Sequence, residues 1–167
     1  MAGRYRFSLA EGHPAKHRAI GFLEEIIDEG DGESRIDAKV EFDSLGLSNL
    51  KKRRELDTRF DYWIDGGRND KWFHGWPNDY DVKECFCFKW EHKKRTHRLY
   101  GFLFHPQSHT NPAFQICVLV YHDFKSDEST DRNLLLRSMA LRTNPAVHAA
   151  IGFVFPDEST TAKGKIQ

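Results

Sequence analysis

The chain has 167 residues, of which 39% are hydrophobic, 30% charged and 13% aromatic; this length fits one domain, and the aromatic content excludes a disordered chain. Its 25 Lys and Arg equal its 25 Asp and Glu, which argues against a protein that coats nucleic acid through net charge alone. We expect a cytoplasmic protein, because no stretch has the apolar length of a signal peptide or a membrane span and three cysteines make no disulfide framework.

The first third of the chain predicts one short strand followed by helices. Alternation of Tyr5, Phe7 and Leu9 predicts a strand. His13-Pro14 is typical of a helix start, and the sequence predicts a helix from there to about residue 28. Residues 35–42 fit either a strand or one face of a helix, and periodicity alone leaves both open.

A second helix is predicted from about Ser48 to the glycines at 66–67. Leu56, Phe60 and Trp63 lie on one face at helical spacing, and Ser48 is a suitable cap. The segment 68–81 is rich in turn residues and aromatic rings, so we expect a loop whose rings lie against the core.

Three runs with period-2 alternation, at 83–90, 97–106 and 114–125, predict an antiparallel meander with short connections. In the third run Val118 and Val120 should face one side of the sheet and Cys117 and Leu119 the other. Residues 126–142 predict a helix that Ser126, Ser129 or Thr130 caps and Pro145 ends, followed by a short element over 146–155. The predicted fold is therefore α+β, with an antiparallel sheet of about four strands flanked by N-terminal helices and a C-terminal helix. It forms a single domain over residues 1–155, with a flexible tail over 156–167.

The sequence offers little for a metal or a cofactor. Cys85 and Cys87 are two positions apart and so lie on the same face of the predicted strand. No second cysteine pair accompanies them, so we expect core cysteines rather than a zinc site. No glycine-rich phosphate loop is present, and we predict no nucleotide cofactor.

The densest chemical signal is the run Lys93, Lys94, Arg95 and Arg98 at the start of the second strand run. Residues 81–125 carry seven Lys and Arg against four Asp and Glu. Cations interleaved with aromatic rings along a sheet suit a nucleic-acid strand, because cations meet phosphates and rings stack on bases. A charged hairpin tip that only keeps the sheet soluble explains the same residues, and alternation prevents all of them from sharing one face.

Two short motifs lie on these runs: Arg-Leu-Tyr-Gly-Phe over 98–102 near the start of the second, and Phe124-Lys125 at the end of the third. Together with the order of the elements, these motifs resemble the central strand and the exit of the next strand in the RelE/ParE-like toxins of type II toxin–antitoxin systems. The resemblance extends over residues 5–142 and is clearest over 84–130.

This resemblance implies a ribosome-dependent mRNA endonuclease that cuts without a metal. It implies Arg98 and Lys125 as cations at the reacting phosphate, with His122 as a candidate acid or base. Contacts to nucleic acid are expected from Lys89, Lys93, Lys94, Arg95 and Tyr100. The implied partners are mRNA on the ribosome and a cognate antitoxin protein, with no membrane.

A second interpretation is a non-catalytic protein-binding module with the same fold, which includes gyrase-directed toxins and interaction proteins of phages or genomic islands. Neutral charge, a length above that of typical family toxins and the lack of a C-terminal Arg or Tyr in 152–161 keep this alternative open.

Overall fold

The structure is a computed structural model that describes residues 3–28, 30, 32, 34–106, 109–125 and 131–155, except the side chain of Lys125. It is an α+β fold with one mixed sheet and helices on both of its faces. The elements are β1 (Arg4–Leu9), β2 (Arg18–Ile26), α1 (Ala38–Ser48), α2 (Leu50–Ile64), β3 (Phe73–Gly75), β4 (Cys85–His92), β5 (Arg95–Phe104), β6 (Gln115–Lys125), α3 (Arg132–Arg142) and α4 (Pro145–Val154).

The sheet has six strands in the order β1-β2-β6-β5-β4-β3. Strands β4, β5 and β6 pair antiparallel, which confirms the predicted meander. Strand β6 also pairs in parallel with β2, so the sheet is mixed. The predicted α+β class is therefore correct. The predicted antiparallel sheet of about four strands is not, because the sheet has six strands and contains one parallel pair.

The helix predicted from His13 to about residue 28 is wrong, because this segment forms β2. Strand β2 lies between β1 and β6, and its residues from Ala19 to Leu23 are all buried. A strand buried on both faces has a continuous apolar run, which resembles a buried helix in sequence. The ambiguous segment 35–42 leads into helix α1, which begins at Ala38.

Two cores lie on the two faces of the sheet. Helices α3 and α4 cover the face that holds Val118 and Val120, whereas α1 and α2 cover the face that holds Cys117 and Leu119. The predicted division of β6 is thus confirmed. Cys85, on the first face, is free and buried, as are the other two cysteines.

The helix ends differ in detail from the predictions. Asn49 rather than Ser48 caps α2, and its side chain accepts a hydrogen bond from the Lys52 N–H. Asp131 caps α3, while the three predicted caps at 126, 129 and 130 fall outside the described residues. Pro145 is the first residue of α4, the predicted short element over 146–155. The predicted tail over 156–167 is also outside the described residues.

The aromatic segment 68–81 contains the short strand β3, and Phe73 from this strand is buried as predicted. Strand β3 pairs only with residues 86–88 of β4, so residues 89–92 of β4 extend past it at the edge of the sheet. None of the four helices in the described part of the chain has both the length and the apolar character to cross a bilayer.

Candidate functional site

The β4–β5 hairpin closes with a two-residue turn made of two lysines. His92 pairs with Arg95 across the hairpin, and Lys93 and Lys94 have φ angles of 51° and 62°. Two successive positive φ angles define the turn type whose twist matches the flanking strands, and that turn favours Asn-Gly. Lysine is unusual there. Lys93, Lys94 and Arg95 are exposed, as predicted.

A shallow pocket of about 490 Å³ lies at the end of this hairpin, and we call it the hairpin-tip pocket. Its lining residues are His92, Lys93, Arg95, His97 and Phe124. Phe124 is 46% exposed, and the Arg95 guanidinium carbon lies 5.0 Å from the centre of its ring. The pocket thus combines imidazoles, cations and an accessible aromatic ring.

Two histidines from neighbouring strands meet behind this pocket. Nδ1 of His97 lies 3.1 Å from Nε2 of His122, with ring centroids 5.3 Å apart and ring planes 15° apart. The centroid distance exceeds the N–N distance by about two ring radii, so the rings lie nearly in one plane and edge to edge. The indole of Trp90 lies nearly parallel to both rings, with centroid distances of 5.1 and 5.7 Å.

Helix α1 brings two carboxylates to His122. Asp37, which precedes α1, accepts a hydrogen bond of 2.8 Å from the backbone N–H of His122. Oε2 of Glu41, in the first turn of α1, lies 3.7 Å from Nδ1 of His122. Burial raises the pKa of Glu41, and neighbouring Asp37 raises it further; burial is also the largest influence that raises the pKa of Asp37.

Both imidazoles are neutral near pH 7. Burial, and secondarily His97, lowers the pKa of His122 to about 4. Burial also lowers the pKa of His97, and the electrostatic influences of His92 and of the Arg95 guanidinium act in the same direction. A neutral imidazole has one lone pair and one N–H, so His97 is able to accept a proton at neutral pH.

Glu41, His97 and His122 also have the composition of a metal site, since one ligand atom from each lies within 4.8 Å of the others. The coplanar rings argue for a different role. Their facing nitrogens point at one another, which suits an N–H···N hydrogen bond, whereas ligands of one ion direct their lone pairs to a common point.

A larger polar groove of about 700 Å³ runs along the part of β4 that β3 leaves uncovered, and we call it the β4-edge groove. Its lining residues are Lys52, Glu55, Arg59, Asp70, Lys71, Trp72, His74, Lys89, Trp90, Glu91, Thr96 and Arg98. Arg59 donates a hydrogen bond to the Lys89 carbonyl, and Nζ of Lys89 donates to the Asp70 carbonyl at 2.6 Å. Two of these cations are therefore held in place by backbone carbonyl groups.

Arg98 lines the β4-edge groove but is only 8% exposed. Its guanidinium donates a 3.2 Å hydrogen bond to the Tyr100 hydroxyl, and Lys89 and Asp123 are its neighbours across the sheet. The resemblance implied that Arg98 and Lys125 act together at the reacting phosphate, whereas the Arg98 side chain is largely covered. Lys125 lies opposite Thr96 in register, and its side chain is outside the described set.

The structure does not bring all the predicted residues into one site. Alternation along β5 and β6 places Arg98 and Tyr100 on the face opposite His122. Tyr100 is 1% exposed in the centre of the sheet, so the expectation that it contacts nucleic acid is not supported in this conformation. Lys89 is half-buried in the β4-edge groove, whereas Lys93 and Arg95 line the hairpin-tip pocket.

The sequence reasoning missed His92, His97, Phe124 and Glu41. His92 directly precedes the turn, and a two-residue loop over 93–94 places His97 opposite Trp90 on β4. A hairpin with this loop could therefore have been used to predict that these rings lie together near the cations of the turn. Glu41 reaches the site only because α1 packs over β6, and no local pattern predicts that contact.

Comparison with models of protein families, with curated proteins and with solved structures yields no match to this chain. The assignment of a function therefore depends on the geometry of the two sites.

Proposed function

We propose that the protein is a metal-independent endoribonuclease of the RelE-like toxin type that binds RNA at the hairpin-tip pocket and cuts mRNA on the ribosome. One observation carries this proposal. The pocket places a neutral imidazole, two cationic side chains and an exposed aromatic ring around a space of about 490 Å³. A base and cations around the phosphate are groups that RNA cleavage without a metal requires, and the ring offers a surface for base stacking.

Each lining group has a role in such a reaction. Nε2 of His97 takes the proton of the 2′-hydroxyl, whose oxygen attacks the adjacent phosphorus. Lys93 and Arg95 stabilise the negative charge of the phosphorane. The P–O5′ bond breaks, and a protonated His92 gives its proton to the departing oxygen, so that a 2′,3′-cyclic phosphate and a 5′-hydroxyl result. Phe124 stacks on a base next to the cut.

The β4-edge groove provides a path for the flanking nucleotides. It begins beside the hairpin, and its lining includes five cations and three acidic residues. In this proposal Lys71 and Lys52 contact phosphates directly, whereas Arg98 and Lys89 contribute positive potential from their partly buried positions. Lys125, at the end of β6, stays a proposed contact because its strand ends next to the hairpin.

The nuclease proposal is tested by adding the purified protein to ribosomes that translate a defined mRNA. Cut sites in the mRNA are then mapped by primer extension. We expect cuts within the codon under translation, and no cuts when the message carries 2′-deoxy substitutions there. His97→Gln should abolish the cuts, whereas His148→Gln, which changes an exposed histidine on α4, should leave them intact. Intact mRNA with the wild-type protein would contradict the nuclease proposal.

A second candidate function, binding to another protein without catalysis, is favoured by exposed apolar side chains on the α1–α2 segment. Leu47 is 93% exposed, and Val40 and Leu50 are exposed as well. In the toxin proposal this surface suits a cognate antitoxin. Growth arrest on expression, with mRNA left intact and with loss of the arrest in Leu47→Ser, would indicate the non-catalytic function.

A further inference from the structure

We propose that Glu41, His122 and His97 form a carboxylate–imidazole–imidazole relay that fixes His97 as the Nδ1–H tautomer and leaves its Nε2 as the basic nitrogen at the hairpin-tip pocket. The catalytic role of this relay rests on the proposed ribonuclease function. The positions of its protons are independent of that function, because they follow from the folded geometry alone.

The direction of the relay follows from the positions of the two nitrogens of His122. Nδ1 lies on the side of Glu41, 3.7 Å from Oε2, which is too long for a direct hydrogen bond and short enough for electrostatic attraction. A nearby carboxylate favours the tautomer whose N–H points toward it. His122 then has its lone pair on Nε2, which accepts the hydrogen bond from Nδ1–H of His97 at 3.1 Å.

The surroundings of the two rings stabilise this neutral pair. From α1, Asp37 and Glu41 face His122, and the Asp37 carboxylate fixes the backbone of His122 through its N–H. His92 and Arg95 are the titratable and charged neighbours of His97 on the hairpin. Burial opposes protonation of both rings in the free protein, and the two hairpin neighbours add to this effect at His97.

The relay changes what happens when His97 works as a base. Uptake of a proton at Nε2 makes His97 an imidazolium, and its Nδ1–H bond to His122 becomes charge-assisted and stronger. Glu41 stabilises the resulting charge through His122 without becoming protonated, as the buried carboxylate does in a catalytic triad. His122 and Glu41 are therefore positioning residues, and His97 is the residue that touches the substrate.

The direct test records the ¹⁵N chemical shifts and long-range ¹H–¹⁵N couplings of the histidine rings at pH 7. We expect the Nδ1–H tautomer for both His97 and His122. His122→Gln should remove the tautomer preference of His97, whereas His148→Gln should not change it. An Nε2–H tautomer at His97 in the wild-type protein overturns the inference, as does an unchanged His97 spectrum in His122→Gln.

Titration with zinc alone distinguishes the relay from a metal site. We expect weak binding that leaves the ring spectra of the pair unchanged at one zinc per chain. Stoichiometric binding that removes the Nδ1–H signal of His97 would show that the three side chains form a metal site and would overturn the relay.

Kinetics test the catalytic meaning separately. His122→Gln should lower kcat for mRNA cleavage by about 10²-fold, within the range for loss of efficient acid–base catalysis, with little change in KM. Glu41→Gln should lower kcat less, because it acts through His122, and Glu41→Asp should restore part of the loss. Unchanged kcat in both His122→Gln and Glu41→Gln overturns the catalytic role. If the tautomers are as stated but the wild-type protein cuts no RNA, the proposed function fails and the proton arrangement stands.

Discussion

His13 shows how one buried side chain joins two parts of the chain. Its Nε2 and Nδ1 lie 2.8 and 2.7 Å from carboxylate oxygens of Asp57 and Asp61 on α2, and its ring packs edge-on against Phe60. The two carboxylates therefore approach the ring from both of its nitrogens. The residue predicted to start a helix therefore fixes the β1–β2 connection against α2.

Replacing His13 by Gln should lower the free energy of unfolding by about 1.5–3 kcal/mol, the usual range for hydrogen bonds to charged groups. Urea denaturation of the wild type and the variant measures this difference. The control is His17→Gln, which changes an exposed histidine in the same connection and should stay within about 0.5 kcal/mol of the wild type. Equal losses in the two variants would contradict a specific role for the two carboxylates.

Gly101 occupies a position that has no space for a side chain. It lies at the irregularity in the β5–β6 pairing, where an added Cβ would be 1.8 Å from the Val118 carbonyl oxygen. Gly101→Ala should destabilise the protein by about 3 kcal/mol, the upper part of the range for overpacked cores. Gly152→Ala on α4 is the matched control, because nothing lies within 4 Å of its added Cβ. It should be neutral or stabilise by up to about 1 kcal/mol. Thermal unfolding of both variants measures the difference in stability between them. A Gly101→Ala protein as stable as the wild type would contradict the prediction.

At the scale of elements, the β4–β5 turn combines backbone strain with exposed charge. Lys93 and Lys94 both have positive φ angles, although Asn-Gly suits this turn better. Residues in strained conformations persist where they have a function or where the surrounding structure holds them. The cationic run has two explanations, a turn that keeps the sheet soluble or a contact to phosphate. They predict different RNA affinities for a variant in which the strain of the turn is removed.

The double change Lys93→Asn and Lys94→Gly should stabilise the protein by about 1 kcal/mol, because it relieves left-handed strain at an L-residue. The same change should weaken binding of single-stranded RNA and reduce its dependence on salt, since two phosphate contacts are lost. Fluorescence anisotropy at several salt concentrations measures this effect. Lys51→Ala, on the exposed side of α2, is the control that should retain affinity. A stabilised variant with unchanged RNA affinity would show that the lysines only form a soluble turn.

The sequence predicted the β4–β5–β6 meander but not strand β2, and the difference has a physical reason. The β4–β5–β6 meander was predictable because its strands alternate and its connections are short. Strand β2 was not, because burial on both faces removes alternation and because its partner β6 is distant in sequence. Local turn chemistry contains no information about a parallel pairing of that kind.

The candidate site was predictable only in part. The exposure of Lys93 and Arg95 follows from a hairpin with a short loop. The separation of Arg98 from His122 depends on the register of β5 against β6, and the resemblance to a toxin family did not reveal it. The pairing of His97 with His122 depends on the register of β5 against β6, which the length of the connecting segment does not fix.

At the scale of the whole molecule, two half-buried histidines, His74 and His122, make stability depend on pH. The pKa of His74 is lowered to about 4, first by burial and then by Lys89 and Arg98, and burial lowers the pKa of His122 to about 4. The unfolded chain binds these protons near pH 6.5, so it holds more protons than the folded protein between about pH 4 and 6.5. Their contribution to stability is complete above that range and is lost as pH falls through it.

We therefore expect the free energy of unfolding of the wild type to gain more than that of His122→Gln as pH rises from about 4 to 6.5. Urea denaturation at a series of pH values measures the slope. His17→Gln should keep the wild-type slope, because its ring is exposed in the folded protein. Equal slopes in the wild type and in His122→Gln would contradict a neutral ring at His122 in the folded protein.

The central claim is that RNA binds at the hairpin-tip pocket. An NMR titration of the ¹⁵N-labelled protein with a short single-stranded RNA, in a buffer with a metal chelator, tests it most directly. The account predicts that the largest shift changes map to residues 92–97 and 122–124, with smaller ones along the β4-edge groove, and that they fall as salt rises. Changes confined to the α1–α2 surface around Leu47, or none at RNA concentrations that saturate a basic RNA-binding control protein, would contradict it.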